Sequence, residues 1–209
     1  VRQSPENLTQ VGIKLRYNEL GDYTYAGQQK VMAIADAQLA KMKKEFDRSK
    51  LSPASQLSYD LFERAVETQH GQLKYYWQSY AVTSTGGALD GLPVMMINAH
   101  KVANQADAEA YVSRLKAFER VAGEVSAELD ERTAKGFLPP SFVFPRVIPD
   151  AQNQIKGAPF DGGADHPVWA DFKAKVDALK IDDAAKAKLK ADGEAALKGE
   201  WKRGYDRYI

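Results

Sequence analysis

The 209-residue sequence contains no cysteine, and that one absence excludes disulfides, thiolate metal sites and a cysteine nucleophile together. Histidine is scarce: His70, His100 and His166 are the only three. None lies within four residues of another, so no short zinc-binding pair forms on one helix face. No apolar run approaches the roughly 20 residues of a membrane span. Charge of one sign is lacking too, since 29 basic and 28 acidic side chains leave a formal charge of +1. No global field therefore draws the chain to nucleic acid or to an anionic membrane. Sustained alternation of apolar and polar residues is absent as well, which leaves little or no sheet to expect.

What is present is helical. A hydrophobic fraction of 44% beside 27% charged residues is ordinary for a globular chain, and the length suits one domain, residues 1–209. Ser4 with Pro5 and Ser52 with Pro53 pair an N-cap with a proline at the first helical position, where its missing NH costs nothing. Phe62, Val66, Gln69, Leu73, Tyr76 and Tyr80 fall on one stripe of a long helix, and Tyr111, Leu115, Phe118, Ala122, Val125 and Leu129 repeat the spacing. Arg114, Lys116, Glu119 and Glu124 lie outside that second stripe. Val31, Ala35, Leu39, Met42 and Phe46 mark a further helix. In "GFLPPSFVFPRVIPD" the prolines remove ladder donors, so a short helix from Pro140, broken near Pro145, is expected instead of a strand. His166 precedes Pro167 as a helix cap, and Asp182 caps a final helix running towards Tyr208. The fold class is all-α: a bundle of long amphipathic helices with a glycine-rich loop and a proline-rich segment.

The glycine-rich loop is "VTSTGGALDGLP", residues 82–93. Gly86 and Gly91 have the spacing of the outer glycines of a phosphate-binding loop, but Leu92 and Pro93 stand where Lys and Ser/Thr are required. Two readings remain, a connection between helices and a turn that faces a substrate. On the second, Thr83, Ser84, Thr85, Gly86, Gly87 and Asp90 form the candidate site. Their hydroxyls and carboxylate exceed what a turn needs, and the glycines allow close backbone approach.

Other candidate chemistry is thin. Glu67 and His70 make one Glu-x-x-His step, where a di-iron bundle needs two such steps and further carboxylates. No nucleophile elbow surrounds Ser79 or Ser84. Tyr75, Tyr76 and Trp77 read as core before they read as a stacking platform, and Asp182 with Asp183 suit a helix start. The lysine-rich stretch from 170 to 209 is interleaved with Asp177, Asp182, Asp183 and Glu194, the pattern of a solvated helix surface. No catalytic residue, metal ligand or cofactor site is assigned within this chain.

Taken in order, "SPENLTQVGI", "LSYDLF", "TGGALDGLP", "ADAEAYVSRLKAFERV", "GFLPPSFVFPRVI" and "HPVWADFKAKVDAL" resemble the N-terminal half of the bacterial domain-of-unknown-function 885 family. The resemblance implies a helical N-terminal domain of a gluzincin-like zinc metallopeptidase, exported or lipid-anchored at the periplasmic or cell-envelope side. It places the zinc and its His-Glu-containing motif in a C-terminal catalytic domain outside this chain. No ligand or general base carries over to these residues. The partners it implies are that C-terminal domain and a peptide substrate, with no nucleic acid and no transmembrane segment. Relatives carry an Asn-Gln-Met-Gly-Gly-like phrase at the loop. Gly86, Gly87 and the Leu92-Pro93 step match it, whereas Thr83, Ser84 and Thr85 replace the amides. The start at Val1 leads to the expectation of a signal, an anchor or a cut upstream. The alternative from another class is a self-sufficient helical module that binds a ligand or partner without chemistry.

Overall fold

The structure, a computed structural model, describes residues 4–209. In chain order the helices are α1 (Pro5–Gln10), α2 (Tyr25–Glu45), α3 (Pro53–Lys74), α4 (Gly91–Asn98), α5 (Gln105–Ala134), α6 (Phe144–Asn153), α7 (Pro167–Asp177), α8 (Asp183–Ala196) and α9 (Lys202–Tyr208). The only ladder among the described residues joins β1 (Val82–Thr83) and β2 (Gly86–Gly87), antiparallel, with Val82 opposite Gly87 and Thr83 opposite Gly86. The fold is all-α. The chain divides into two compact units, one made of the described residues up to Asp22 with Tyr80–Ile209, the other of Tyr23–Ser79.

The larger unit is built around α5, against which α7, α8, α9 and the π-helical turn Leu197–Trp201 pack. The α5 stripe is buried as its spacing demands: Tyr111, Leu115, Phe118 and Ala122 are fully buried, and Val125 nearly so. Phe118 stacks on Trp201 and Tyr205 with ring centroids 4.2 and 4.7 Å apart. Close approach is possible there because Gly204 has no side chain; a Cβ would sit 2.7 Å from the Phe118 ring.

Arg114 departs from the expectation of an outward-facing cation, being buried at 1% exposure. Its guanidinium donates to the Glu19 carbonyl at 3.0 Å, the Thr9 hydroxyl at 2.7 Å, the Pro5 carbonyl at 3.3 Å and His100 Nδ1 at 3.0 Å. Those acceptors replace the lost hydration that makes a buried charge costly. The segment after α1 is thereby tied to α5, with Arg120 adding bonds to the Leu20 and Gly21 carbonyls at 2.9 and 3.0 Å.

The smaller unit is the α2–α3 hairpin. Ser52 caps α3 as expected, its hydroxyl accepting from the Ser55 NH at 3.3 Å. The predicted stripe overshoots the helix, however: α3 ends at Lys74, Tyr76 lies in a 3-10 turn, and Tyr80 lies beyond it. Burial is also sparse. Only Val66 in α3, and Gly27 and Met32 in α2, are buried, while Val31 and Phe46 of the expected α2 stripe are exposed. Tyr25, Tyr76 and Trp77 form a ring cluster with centroids 4.9 to 5.2 Å apart. Lys43 pairs with Glu63, Arg48 with Asp60 and His70 with Asp36 along the hairpin's surface.

The proline-rich segment corrects a second expectation. A 3-10 turn at Ser141–Val143 leads into α6, which begins around Pro145 where it was expected to break, and which carries Pro149 in its interior. Pro145 sits in the first turn, where no NH is needed. The final helix runs without a gap from Asp183 to Tyr208, as expected, with a π turn at Leu197–Trp201 between α8 and α9.

Candidate functional site

The loop from Val82 to Gly91 is a tight hairpin seated on the larger unit. Val82 points inward, buried with Val143 and Val147, and Leu129 and Tyr208 pack against that cluster. The hydroxyls of the loop serve one another. Thr83 Oγ1 lies 3.0 Å from Thr85 Oγ1, donates to the Gly86 carbonyl at 3.2 Å and accepts from the Thr85 NH at 3.4 Å. Asp90 turns back so that its carboxylate accepts from the Gly87 NH at 2.7 Å. Thr83, Ser84 and Thr85 are exposed at the tip, with Gly86, Gly87 and Asp90 half-buried below them. All six candidate residues thus belong to one hairpin.

Gly86 and Gly87 each have a local physical reason. Gly86 has φ +150°, and a Cβ there would meet Asp90 Oδ2 at 2.6 Å. At Gly87 a Cβ would collide with the Tyr208 hydroxyl. The glycines therefore admit Asp90 from within the loop and Tyr208 from the far end of the sequence. Tyr205 and Tyr208 are the residues that sequence reasoning missed at this site. Their i,i+3 spacing on α9 put them on one face, but nothing local linked that face to residue 87. The Tyr205 hydroxyl is buried without a hydrogen-bond partner, and the Tyr208 hydroxyl reaches the Ala88 backbone without a well-aligned bond. Burial, with the negative charge of Asp90 nearby, pushes the Tyr208 hydroxyl up to about 12 and raises that of Tyr205 further.

Behind the loop lies an apolar groove of about 160 Å³. Val82, Leu129, Val147 and the Tyr208 ring form its floor, and Leu138 and Phe144 stand on its rim. Leu138 is 54% exposed, Phe144 39% and the neighbouring Phe142 64%. The proline-rich segment thus presents large apolar groups to solvent. Arg132 reaches the groove but is engaged at its head, 3.3 Å from Glu128 Oε2 and 3.2 Å from the Glu128 carbonyl.

The histidines are occupied elsewhere. His100, fully buried, accepts from Arg114 through Nδ1, so Nε2 carries the proton and faces the Asp107 carbonyl at 3.1 Å. Burial pushes it down to about 3, with the charges of Arg114 and Lys175 adding in the same direction. His166 Nδ1 accepts from the Val168 NH at 3.3 Å, the expected cap of α7. His70 Nε2 lies 2.7 Å from Asp36 on the hairpin surface. Among the described residues no group of three His, Asp or Glu side chains converges in a way that fits a metal ion.

A family described as "Bacterial protein of unknown function (DUF885)" matches residues 5–209. Among curated proteins none matches the chain. The crystal structure of "the putative lipoprotein from Colwellia psychrerythraea" superposes with a TM-score of 0.74 at 14% identity, over 99% of this chain and 37% of that one. At that identity the likeness establishes the fold. The chain spans little more than a third of the length of the Colwellia protein. No helix among the described residues is long and apolar enough to cross a membrane.

Proposed function

Because the chain belongs to the DUF885 family, we propose that it is the non-catalytic N-terminal helical part of a longer, envelope-associated protein of zinc-metallopeptidase type. In this reading the hairpin Thr83–Asp90 forms part of the substrate-cleft wall. The observation that carries it is the alignment of 99% of this chain with only 37% of a lipoprotein's length: what is folded here corresponds to a minor share of a larger protein. The peptidase class and the periplasmic or envelope location come from the family resemblance, and the description of the Colwellia protein as a lipoprotein agrees with an envelope association. Zinc in such enzymes activates water for amide hydrolysis; its ligands belong to the remainder of the polypeptide.

The loop's chemistry supports the cleft role at its tip. Gly86 and Gly87 are committed to internal packing, whereas Ser84 and Thr85 stand exposed above them. An extended peptide passing the tip meets hydroxyl donors and acceptors on a loop held rigid from below by Asp90 and Tyr208. Alanine at either glycine would report strain before it reported substrate contact, so the informative variants are Ser84→Ala and Thr85→Val. In the full parent protein each is expected to lower kcat/KM for a peptide substrate by roughly 2- to 10-fold, the worth of one hydrogen bond, at unchanged melting temperature. Unchanged kinetics in both variants would remove the loop from the cleft. A parent polypeptide without a zinc-binding His-Glu motif beyond Ile209 would remove the peptidase reading and leave a helical binding module.

A further inference from the structure

The groove behind the loop combines depth with an apolar lining. It is a concavity of about 160 Å³ with an apolar floor, close to the size that a dry engineered cavity of about 150 Å³ needs to hold one benzene ring. Its rim exposes Leu138 and Phe144, with Phe142 beside them, on a segment stiffened by Pro139, Pro140 and Pro145. Prolines fix the backbone before any partner arrives, so little entropy remains to be lost on docking. Leu57 and Leu61 on α3 are as exposed as these residues, but they do not line this groove.

From this shape and chemistry we infer that the groove is the seat of one large aliphatic or aromatic side chain, supplied by the remainder of the same longer polypeptide. This rests on the domain reading above and names where the two parts meet. The occupant is chosen by length: well over half of the superposed lipoprotein's chain lies outside the part matched here, and that much additional fold needs an apolar contact on this one. Interdomain contacts of this kind cover about 600 to 1,500 Å², more than the groove alone, so the groove is the anchor within a wider face. Tyr208 gives the seat a further consequence. Its ring lines the groove while its hydroxyl packs on Gly87, so a side chain seated there presses directly on the residue that supports the glycine-rich hairpin.

The test uses the parent polypeptide with Leu138→Asp, and Leu57→Asp as a control of similar exposure. Limited proteolysis between the two parts is expected to speed up at least tenfold for L138D and to stay within twofold of wild type for L57D. Small-angle scattering should show expansion for L138D alone. Cleavage of L138D at the wild-type rate, with unchanged scattering, would overturn the seat while leaving the domain reading intact. A parent chain with no further domain would defeat that reading and this inference together. Sedimentation of the 209-residue chain as a dimer that L138D dissociates would overturn the inference in favour of a second copy.

Discussion

Helices α3 and α5 carry the same apolar spacing and meet opposite fates. In α5 the stripe from Tyr111 to Val125 is buried almost completely, beneath α7, α8, α9 and the π turn. In α3 the equivalent stripe buries Val66 alone, leaves Phe62 at 37% exposure, and continues past the end of the helix. The difference lies in what covers each helix. Four elements close around α5, whereas within its unit α3 meets α2 and a single 3-10 turn. Periodicity shows which face of a helix is apolar; coverage by other elements decides whether that face becomes core. The hairpin relies in part on exposed ion pairs, which solvent screens.

The sharpest way to break this contrast is to delete matched side chains. Phe118→Ala removes a fully buried ring stacked on Trp201 and Tyr205 and is expected to cost about 3–5 kcal/mol. Leu61→Ala, at a position 60% exposed, should stay within about 0.5 kcal/mol. Urea unfolding followed at Trp201 and at Trp77 reads the two units separately. Comparable losses from both substitutions would mean that α3 is a core helix after all.

Acid should also separate the units. His100 in the larger unit titrates at about 3 when folded, below the ordinary histidine value of about 6.5. Between those values the unfolded chain binds more protons, so stability rises with pH there and is lost as pH falls. The slope reaches about 1.4 kcal/mol per pH unit. His166, also lowered by burial, acts in the same direction. Replacing His100 with Gln should flatten the slope between about pH 3 and 6.5, measured by urea midpoints across that range. An unchanged slope would show that His100 is not the buried neutral acceptor of Arg114.

A smaller effect has opposite signs in the two units. Glycine inside a helix ordinarily costs about 1 kcal/mol relative to alanine, so Gly71→Ala in α3, where nothing lies within 4 Å of an added Cβ, should stabilise by roughly that amount. Gly204→Ala in α9 places a Cβ 2.7 Å from the Phe118 ring and should destabilise by about 1–3 kcal/mol. Thermal melts of the two variants give the signs directly.

What the sequence disclosed was mostly local. The caps by Ser4, Ser52, His166 and Asp182 form as expected because each bonds to an NH two or three residues on. The loop was visible from its glycines but was read as far as residue 93, whereas α4 already begins at Gly91; the α5 core was visible from its spacing. Arg114 was placed outside the apolar stripe, and its burial was not legible because its acceptors at Pro5 and Thr9 lie 109 and 105 residues away in sequence. The start of α6 at Pro145 was missed because a proline in a first turn and a proline that ends a helix are the same letter. The six candidate residues were legible as one local segment, but the reason for Gly87 was not, since Tyr208 arrives from the other end of the chain. The groove was foreshadowed only as apolar composition in the proline-rich segment; its depth comes from Val82, Leu129 and Tyr208, which sequence alone does not assemble.

On the proposal above, this helical chain is one part of a larger protein and meets the rest at the groove beside the hairpin. Hydrogen exchange of the isolated chain, compared with the parent polypeptide, tests it most directly. Exchange in the parent is expected to be slower at residues 137–148, with the amides of 82–90 slowed beside them and the exposed outer face of α3 around Leu57 and Leu61 unchanged. Identical exchange at residues 137–148 in the two proteins would contradict it.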